Sequence, residues 1–147
     1  MRIAIASDHA GYHLKNQLRD TLRAEGYQVE DLGADGGKSS DYPDYAVQVA
    51  KAVSLGEAER GVLICGTGVG MSLAANRVRG VRAAAVSEPV TARLSREHND
   101  ANVVCIGERI VGPEMALDIV RTFLSARFSE GERHVRRIGK ITALDRS

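Results

Sequence analysis

Residues 61–76 read GVLICGTGVGMSLAAN, and the fold follows from how this stretch divides. GVLICG is a short apolar run rich in β-branched side chains, as in a strand covered on both faces. Glycines at 66, 68 and 70 make a turn, and a helix is expected over 71–78. Working outward, four more runs of the same kind appear: RIAIAS at 2–7, YQVEDLG at 27–33, VRAAAVS at 81–87 and NVVCIG at 102–107. Between the first two, Leu14, Leu18 and Leu22 recur at four-residue spacing, with Lys15, Asn16, Arg19, Asp20 and Arg23 assigned to the other faces. A second helix is expected over 44–55, where Ala46, Val47, Ala50 and Val53 recur, and Pro89 and Pro113 mark two helix starts. Strands alternating with helices predict an α/β fold: one domain over residues 1–147, a three-layer sandwich whose five-stranded parallel, doubly wound sheet carries helices on both faces. The polar, basic segment after Phe128, SEGERHVRRIGKITALDRS, reads as an added C-terminal helix outside the core.

Composition narrows the function classes. With 147 residues, 44% apolar and 27% charged, the chain can bury a core without staples, and a net charge of +1 provides no general attraction to nucleic acid or membranes. No apolar run approaches the roughly 20 residues needed to span a bilayer. The start, MRIAIASDHAG, reaches charged residues too soon for a signal peptide, so a cytoplasmic protein is expected. The two cysteines, Cys65 and Cys105, lie inside apolar runs rather than in a spaced framework, which predicts free thiols and no cysteine-based metal site.

In doubly wound sheets, ligands bind beyond the C-terminal ends of the strands. That rule selects Ser7, Asp8 and His9, then Cys65–Gly70, then Ser87 and Glu88, then Gly107–Arg109. The glycine turn lacks the lysine of a P-loop. It puts Met71 where a dinucleotide fingerprint needs its third glycine and where a cysteine phosphatase needs arginine. Two readings remain: backbone N–H groups converging on an anion, or glycines that only permit a sharp bend. Cys65 ends its strand facing a helix start, where thiolate is favoured, and can serve as base or nucleophile; Cys105 reads as a core residue. His98, in REHNDAN, has a side chain of the type that can act as an acid or base near neutral pH. His13 and His134 have weaker claims. Arg133 and Arg137 lie one helical turn apart beside Arg136, either as a solvated face or as a fork for a phosphate, to which Arg109 can add. The longest irregular stretch, 34–45, borders a site on this reading.

SDHAG at 7–11, DYPDYA at 41–46, ICGTGVGMS at 64–72, AANR at 74–77 and SREHNDANV at 95–103 together resemble one family, ribose-5-phosphate isomerase type B with its galactose-6-phosphate and allose-6-phosphate isomerase relatives. The resemblance implies a flavodoxin-like or Rossmann-like fold, no cofactor or metal, a small-molecule sugar phosphate as substrate, and a homodimer whose active sites draw on both chains. It implies the interconversion of ribose 5-phosphate and ribulose 5-phosphate through ring opening and a cis-enediolate. Cys65 would be the base between C1 and C2, His98 the ring-opening acid or base, and Thr67 would assist. Asp8, His9, Tyr42, Gly66, Thr67, Gly68, Val69, Gly70 and Asn99 would bind the sugar, while Arg109, Arg133 and Arg137 would hold the phosphate. One branch of the family replaces the cysteine's role with a glutamate at the position of Met71, and this sequence sides with the cysteine branch. The competing expectations are an isomerase for six-carbon 6-phosphates and a non-catalytic sugar-phosphate-binding module on the same fold.

Overall fold

The five apolar runs form one parallel sheet in the computed structural model, which describes residues 1–36 and 38–145. Its strands are β1 (Arg2–Ser7), β2 (Gln28–Asp31), β3 (Arg60–Cys65), β4 (Ala83–Ala85) and β5 (Val103–Gly107). Six α-helices join and flank them: α1 (Tyr12–Ala24), α2 (Tyr42–Ser54), α3 (Val69–Ala75), α4 (Pro89–Asn99), α5 (Pro113–Ser125) and α6 (Glu132–Thr142). The helices over 42–54 and 69–75 each start two residues before the expected 44 and 71, and the latter ends three residues before the expected 78. The C-terminal segment forms the expected added helix, α6.

The spatial order is β2-β1-β3-β5-β4. Relative to the flavodoxin order, 2-1-3-4-5, the last two strands trade places. Their sequences account for this: all five residues of β5 are buried, as a central strand demands, whereas β4 has three residues, none of them fully buried. Asn76 closes part of the edge that β4 exposes. Its amide Nδ2 donates to the Ala83 carbonyl at 3.0 Å and its Oδ1 accepts from the Ala83 N–H at 2.8 Å.

Alternation along each strand separates two apolar layers. Ile3, Ile5, Val62, Ile64, Val104 and Ile106 face α1, α4 and α5, meeting Leu14, Leu18, Ala92, Ile119 and Phe123. Ala4, Ala6, Leu63, Cys65, Val103 and Cys105 face α2 and α3. Each fully buried aliphatic or aromatic side chain contributes about 1.5–3 kcal/mol. Small residues on the second face let α2 and α3 approach closely, and this closeness brings the glycine turn against the end of β5.

Lys15 departs from the expected solvent face of α1. It is 1% exposed, because the chain leaving β2 folds over the first turns of α1. Its Nζ donates to Asp31 Oδ1 at 3.0 Å and to the Ala34 carbonyl at 2.7 Å, while Arg19 reaches Asp31 Oδ2 at 2.7 Å. The segment is also stitched to β1 through Ser7 N–H to the Gly33 carbonyl (2.8 Å) and Ala34 N–H to the Ser7 carbonyl (2.9 Å). Burial alone would raise the Asp31 pKa, but the Gly33 N–H and the Lys15 and Arg19 cations hold it below the usual carboxylate range. A depressed native pKa stabilises the fold above the unfolded value near 4, and that stabilisation fades as pH falls through the native value. Asp31→Asn is therefore expected to flatten the acid limb of stability and, by leaving the Lys15 ammonium without its counter-ion, to cost about 3 kcal/mol at neutral pH. Urea midpoints measured from pH 7 to pH 3 check both effects.

Candidate active site

β1 and β3 lie side by side while their following connections leave in opposite directions, so a crevice opens beyond their C-terminal ends. A cavity of about 460 Å³ occupies that place. Asp8 and His9 enter it from β1, Cys65, Gly66, Thr67, Val69 and Gly70 from the glycine turn, Tyr42 from the start of α2, and Arg109 from beyond β5.

Gly68 makes the turn possible. Its φ of +83° disfavours any side chain, and a Cβ there would stand 3.1 Å from the backbone of Cys105 and Ile106. In this conformation its N–H donates to Cys65 Sγ at 3.1 Å. Thr67 Oγ1 accepts from the Val69 N–H at 3.2 Å, and among the described residues the Gly70 and Met71 N–H groups have no protein partner. The neighbouring glycines admit other side chains: a Cβ on Gly70 would meet the Tyr42 ring at 2.6 Å, and one on Gly66 would meet the Arg109 guanidinium at 3.2 Å. The turn is therefore more than a bend. It gives the sulfur a donor, clears space for an aromatic wall and brings an arginine to the rim.

The two cysteines have different surroundings. Both side chains face the α2–α3 layer, but Cys65 sits at the strand end and opens to the cavity, whereas Cys105 lies two residues deeper and is fully buried. Burial, with a further contribution from nearby Cys65, pushes the Cys105 thiol well above its ordinary range. Iodoacetamide is expected to alkylate Cys65 and to spare Cys105 in the folded protein, as peptide mass mapping can establish. Met71 is buried beneath the turn.

Asp8 is 6% exposed, and its Oδ1 accepts from the Ala10 and Gly11 N–H groups at 2.9 and 3.2 Å. Its Oδ2 has no protein partner among the described residues. His9 is tied to Ser40 by two hydrogen bonds, one in each direction. Ser40 and Lys15 escaped the sequence reading. Ser40 lies inside the irregular stretch already marked as bordering a site, next to DYPDYA, while nothing in the α1 pattern distinguishes Lys15 from its solvated neighbours. Ser87 and Glu88, which the strand-end rule also selects, lie outside the cavity; Glu88 caps α4 by accepting from the Val90 and Thr91 N–H groups at 2.6 and 2.9 Å.

The other four predicted residues form a separate group. His98 and Asn99 end α4, which runs antiparallel to the strands and returns to the start of β5. There Asn102 accepts from the Gly61 N–H at 2.9 Å, four residues along β3 from Cys65, about 13 Å of strand. His98 is thus beside the N-terminal ends of the strands and Cys65 at their C-terminal ends. The His98 ring stacks on His134 of α6, with centroids 4.5 Å apart and planes at 9°. Arg133 and Arg137 are exposed on the same helix. Burial, then Arg133, His98 and Arg137, lower the His134 pKa below the ordinary imidazole range. Asn99 borders another cavity, of about 500 Å³, with Asn76, Arg82, Ile141 and Leu144.

Comparison with known proteins places the chain in a family. The ribose/galactose isomerase family matches residues 3–141. The chain belongs to that family. Ribose-5-phosphate isomerase B of Escherichia coli strain K12 is 49% identical over 98% of this chain and 96% of its own length. The structure of Clostridium thermocellum ribose-5-phosphate isomerase B superposes with a TM-score of 0.96 at 53% identity, covering 98% of this chain and 97% of that one. A D-erythrulose-4-phosphate isomerase of Pectobacterium atrosepticum is 41% identical over 89% of this chain and 87% of its own length. The chain is accordingly an isomerase of the ribose/galactose family. Among the described residues no three of His, Cys, Asp and Glu cluster as a metal site would need, and no helix is long and apolar enough to cross a membrane.

Proposed function

We propose that this chain, acting as one isomerase domain, interconverts ribose 5-phosphate and ribulose 5-phosphate with Cys65 as the base. The observation that carries the reading is the Gly68 N–H aimed at Cys65 Sγ on the wall of the open cavity. That bond gives the sulfur a fixed hydrogen-bond donor at the cavity wall. In the open-chain aldose, the thiolate removes the C2 proton and the electron pair shifts the C1 carbonyl into an enediolate. The 2-hydroxyl proton moves to oxygen 1 and the thiol returns its proton to C1, which completes the ketose. The enediolate oxygen needs preorganised donors, and the Gly70 N–H is available at the cavity; one such donor contributes about 3 kcal/mol to lowering the barrier.

The ring must open before a carbonyl exists, and Cys65 has no histidine of its own α4 within reach. A homodimer supplies one: His98 of a second copy would exchange the ring-oxygen proton with help from Thr67. Asn99 of that copy would complete the sugar contacts, and its Arg133 and Arg137 would join Arg109 on the phosphate. The apolar residues exposed beside these groups support such a contact. Val69 and Leu73 flank the cavity at 53% and 64% exposure, and Val135 and Ile141 project from α6 at 52% and 50%. A charged sugar phosphate as substrate accords with a cytoplasmic enzyme.

Ribose 5-phosphate incubated in deuterated water with the enzyme should acquire deuterium at C2, and initial rates should rank ribose 5-phosphate above allose and galactose 6-phosphates. Binding without exchange would leave a sugar-phosphate-binding module. A reversed ranking would favour six-carbon substrates, a reading kept open by the D-erythrulose-4-phosphate enzyme, whose name shows that sugar length varies among such similar chains.

A further inference from the structure

We infer that Ser40 is the positioning residue that fixes His9 in its Nε2–H tautomer, so that His9 meets the sugar as a hydrogen-bond donor and not as a base. The inference deepens the reading of the cavity as a sugar site. Two bonds join residues 31 positions apart in sequence: the His9 backbone N–H donates to Ser40 Oγ at 3.0 Å, and the Ser40 backbone N–H donates to His9 Nδ1 at 3.1 Å. An amide N–H can only donate, so Nδ1 must present its lone pair. In a neutral imidazole the proton then resides on Nε2. The opposite tautomer would set the Nδ1 proton against the amide proton, with only the Ser40 hydroxyl, 3.5 Å away, left to accept it.

Nε2 itself has no protein partner among the described residues, and His9 lines the cavity together with Asp8 and Tyr42. The pair Asp8–His9 accordingly offers one acceptor, Asp8 Oδ2, and one donor, His9 Nε2–H. That combination suits neighbouring hydroxyls of a polyol, each of which both gives and receives. It also reserves proton abstraction for Cys65, since His9 enters with its cavity-side nitrogen already protonated.

The surroundings hold Ser40 in place. On one side, Ala34 is fixed by the buried Lys15 ammonium and by the Ser7 backbone; on the other, Tyr42 is seated over Gly70.

Long-range ¹H–¹⁵N correlation on histidine-labelled free enzyme reads the tautomer directly, without substrate. The expected pattern for His9 is an unprotonated Nδ1 and a protonated Nε2; a protonated Nδ1 in the unmodified protein overturns the inference without any variant. Ser40→Pro deletes the amide donor and should give mixed His9 tautomers, with KM for ribose 5-phosphate raised about five- to thirty-fold and kcat changed less. Ser40→Thr, which keeps both groups, should retain the native pattern and KM. A native His9 pattern in Ser40→Pro, or mixed tautomers with unchanged KM, counts against the assignment. Failure of the isomerase reading would look different: no deuterium uptake into the sugar while the His9 pattern stays as expected.

Discussion

Cys65→Ala should lower kcat for ribose 5-phosphate isomerisation by about 10²–10⁴-fold, the usual contribution of a positioned acid or base, while the thermal midpoint moves little. The expectation follows from what else could take the proton. Met71, beneath the turn, is apolar and buried, and His9 directs a protonated nitrogen at the cavity on the tautomer argument. Asp8 has one oxygen committed to the Ala10 and Gly11 amides. Stability should hold because the alanine methyl fills most of the site and the Gly68 N–H, once released, faces the open cavity, where water can receive it. Cys65→Ser keeps an acceptor for that N–H but not an acidic proton site, so it should also be slow. A Cys65→Ala enzyme with native kcat would remove the base assignment, and solvent deuterium exchange would then identify whether another group had taken over.

The second large effect is a gain. Cys65→Ala and His98→Asn proteins, each nearly inactive alone, should recover about one quarter of native activity when unfolded together and refolded as an equal mixture. In a two-fold symmetric dimer, half of the randomly assembled pairs are mixed, and one of the two sites in each mixed pair is fully native. The arithmetic depends on Cys65 and His98 belonging to different chains at each site, as the proposed dimer has it and as their placement at opposite ends of the sheet supports. If both residues acted within one chain, no mixture could restore a native site and activity would stay at the level of the single variants. Size-exclusion measurements on the same samples separate failed assembly from failed complementation.

How much of this was legible in the sequence depends on the range of the interactions involved. The central strands and the parallel sheet followed from local patterns, because a strand buried on both faces, as β1, β3 and β5 largely are, leaves little room for polar residues. The edge position of β4 was not read, although the short alanine run at 83–85 carried the signal. Asp8, Cys65 and the glycine turn were placed at the strand ends, where the cavity lies, because the strand-end rule converts chain order into location. Lys15 was misplaced because its partners, Asp31 and Ala34, are contributed by a connection whose path no periodicity encodes. The separation of His98, Arg133 and Arg137 from the cavity is a matter of helix direction, which was implicit in the βα alternation but was not followed through to its geometric end.

Asn76 holds a consequence for how these molecules gather at high concentration. Along the outward edge of β4, alternate residues turn their amide and carbonyl groups away from β5, and Ala83 has both of its groups already engaged by the Asn76 side chain. Among the described residues a foreign strand would find only the groups of Ala85 unclaimed on that border, too short a foothold for a ladder to grow. Fibre-like growth through this edge is discouraged at the level of one amide side chain, and copies of the protein are left to meet through their helices.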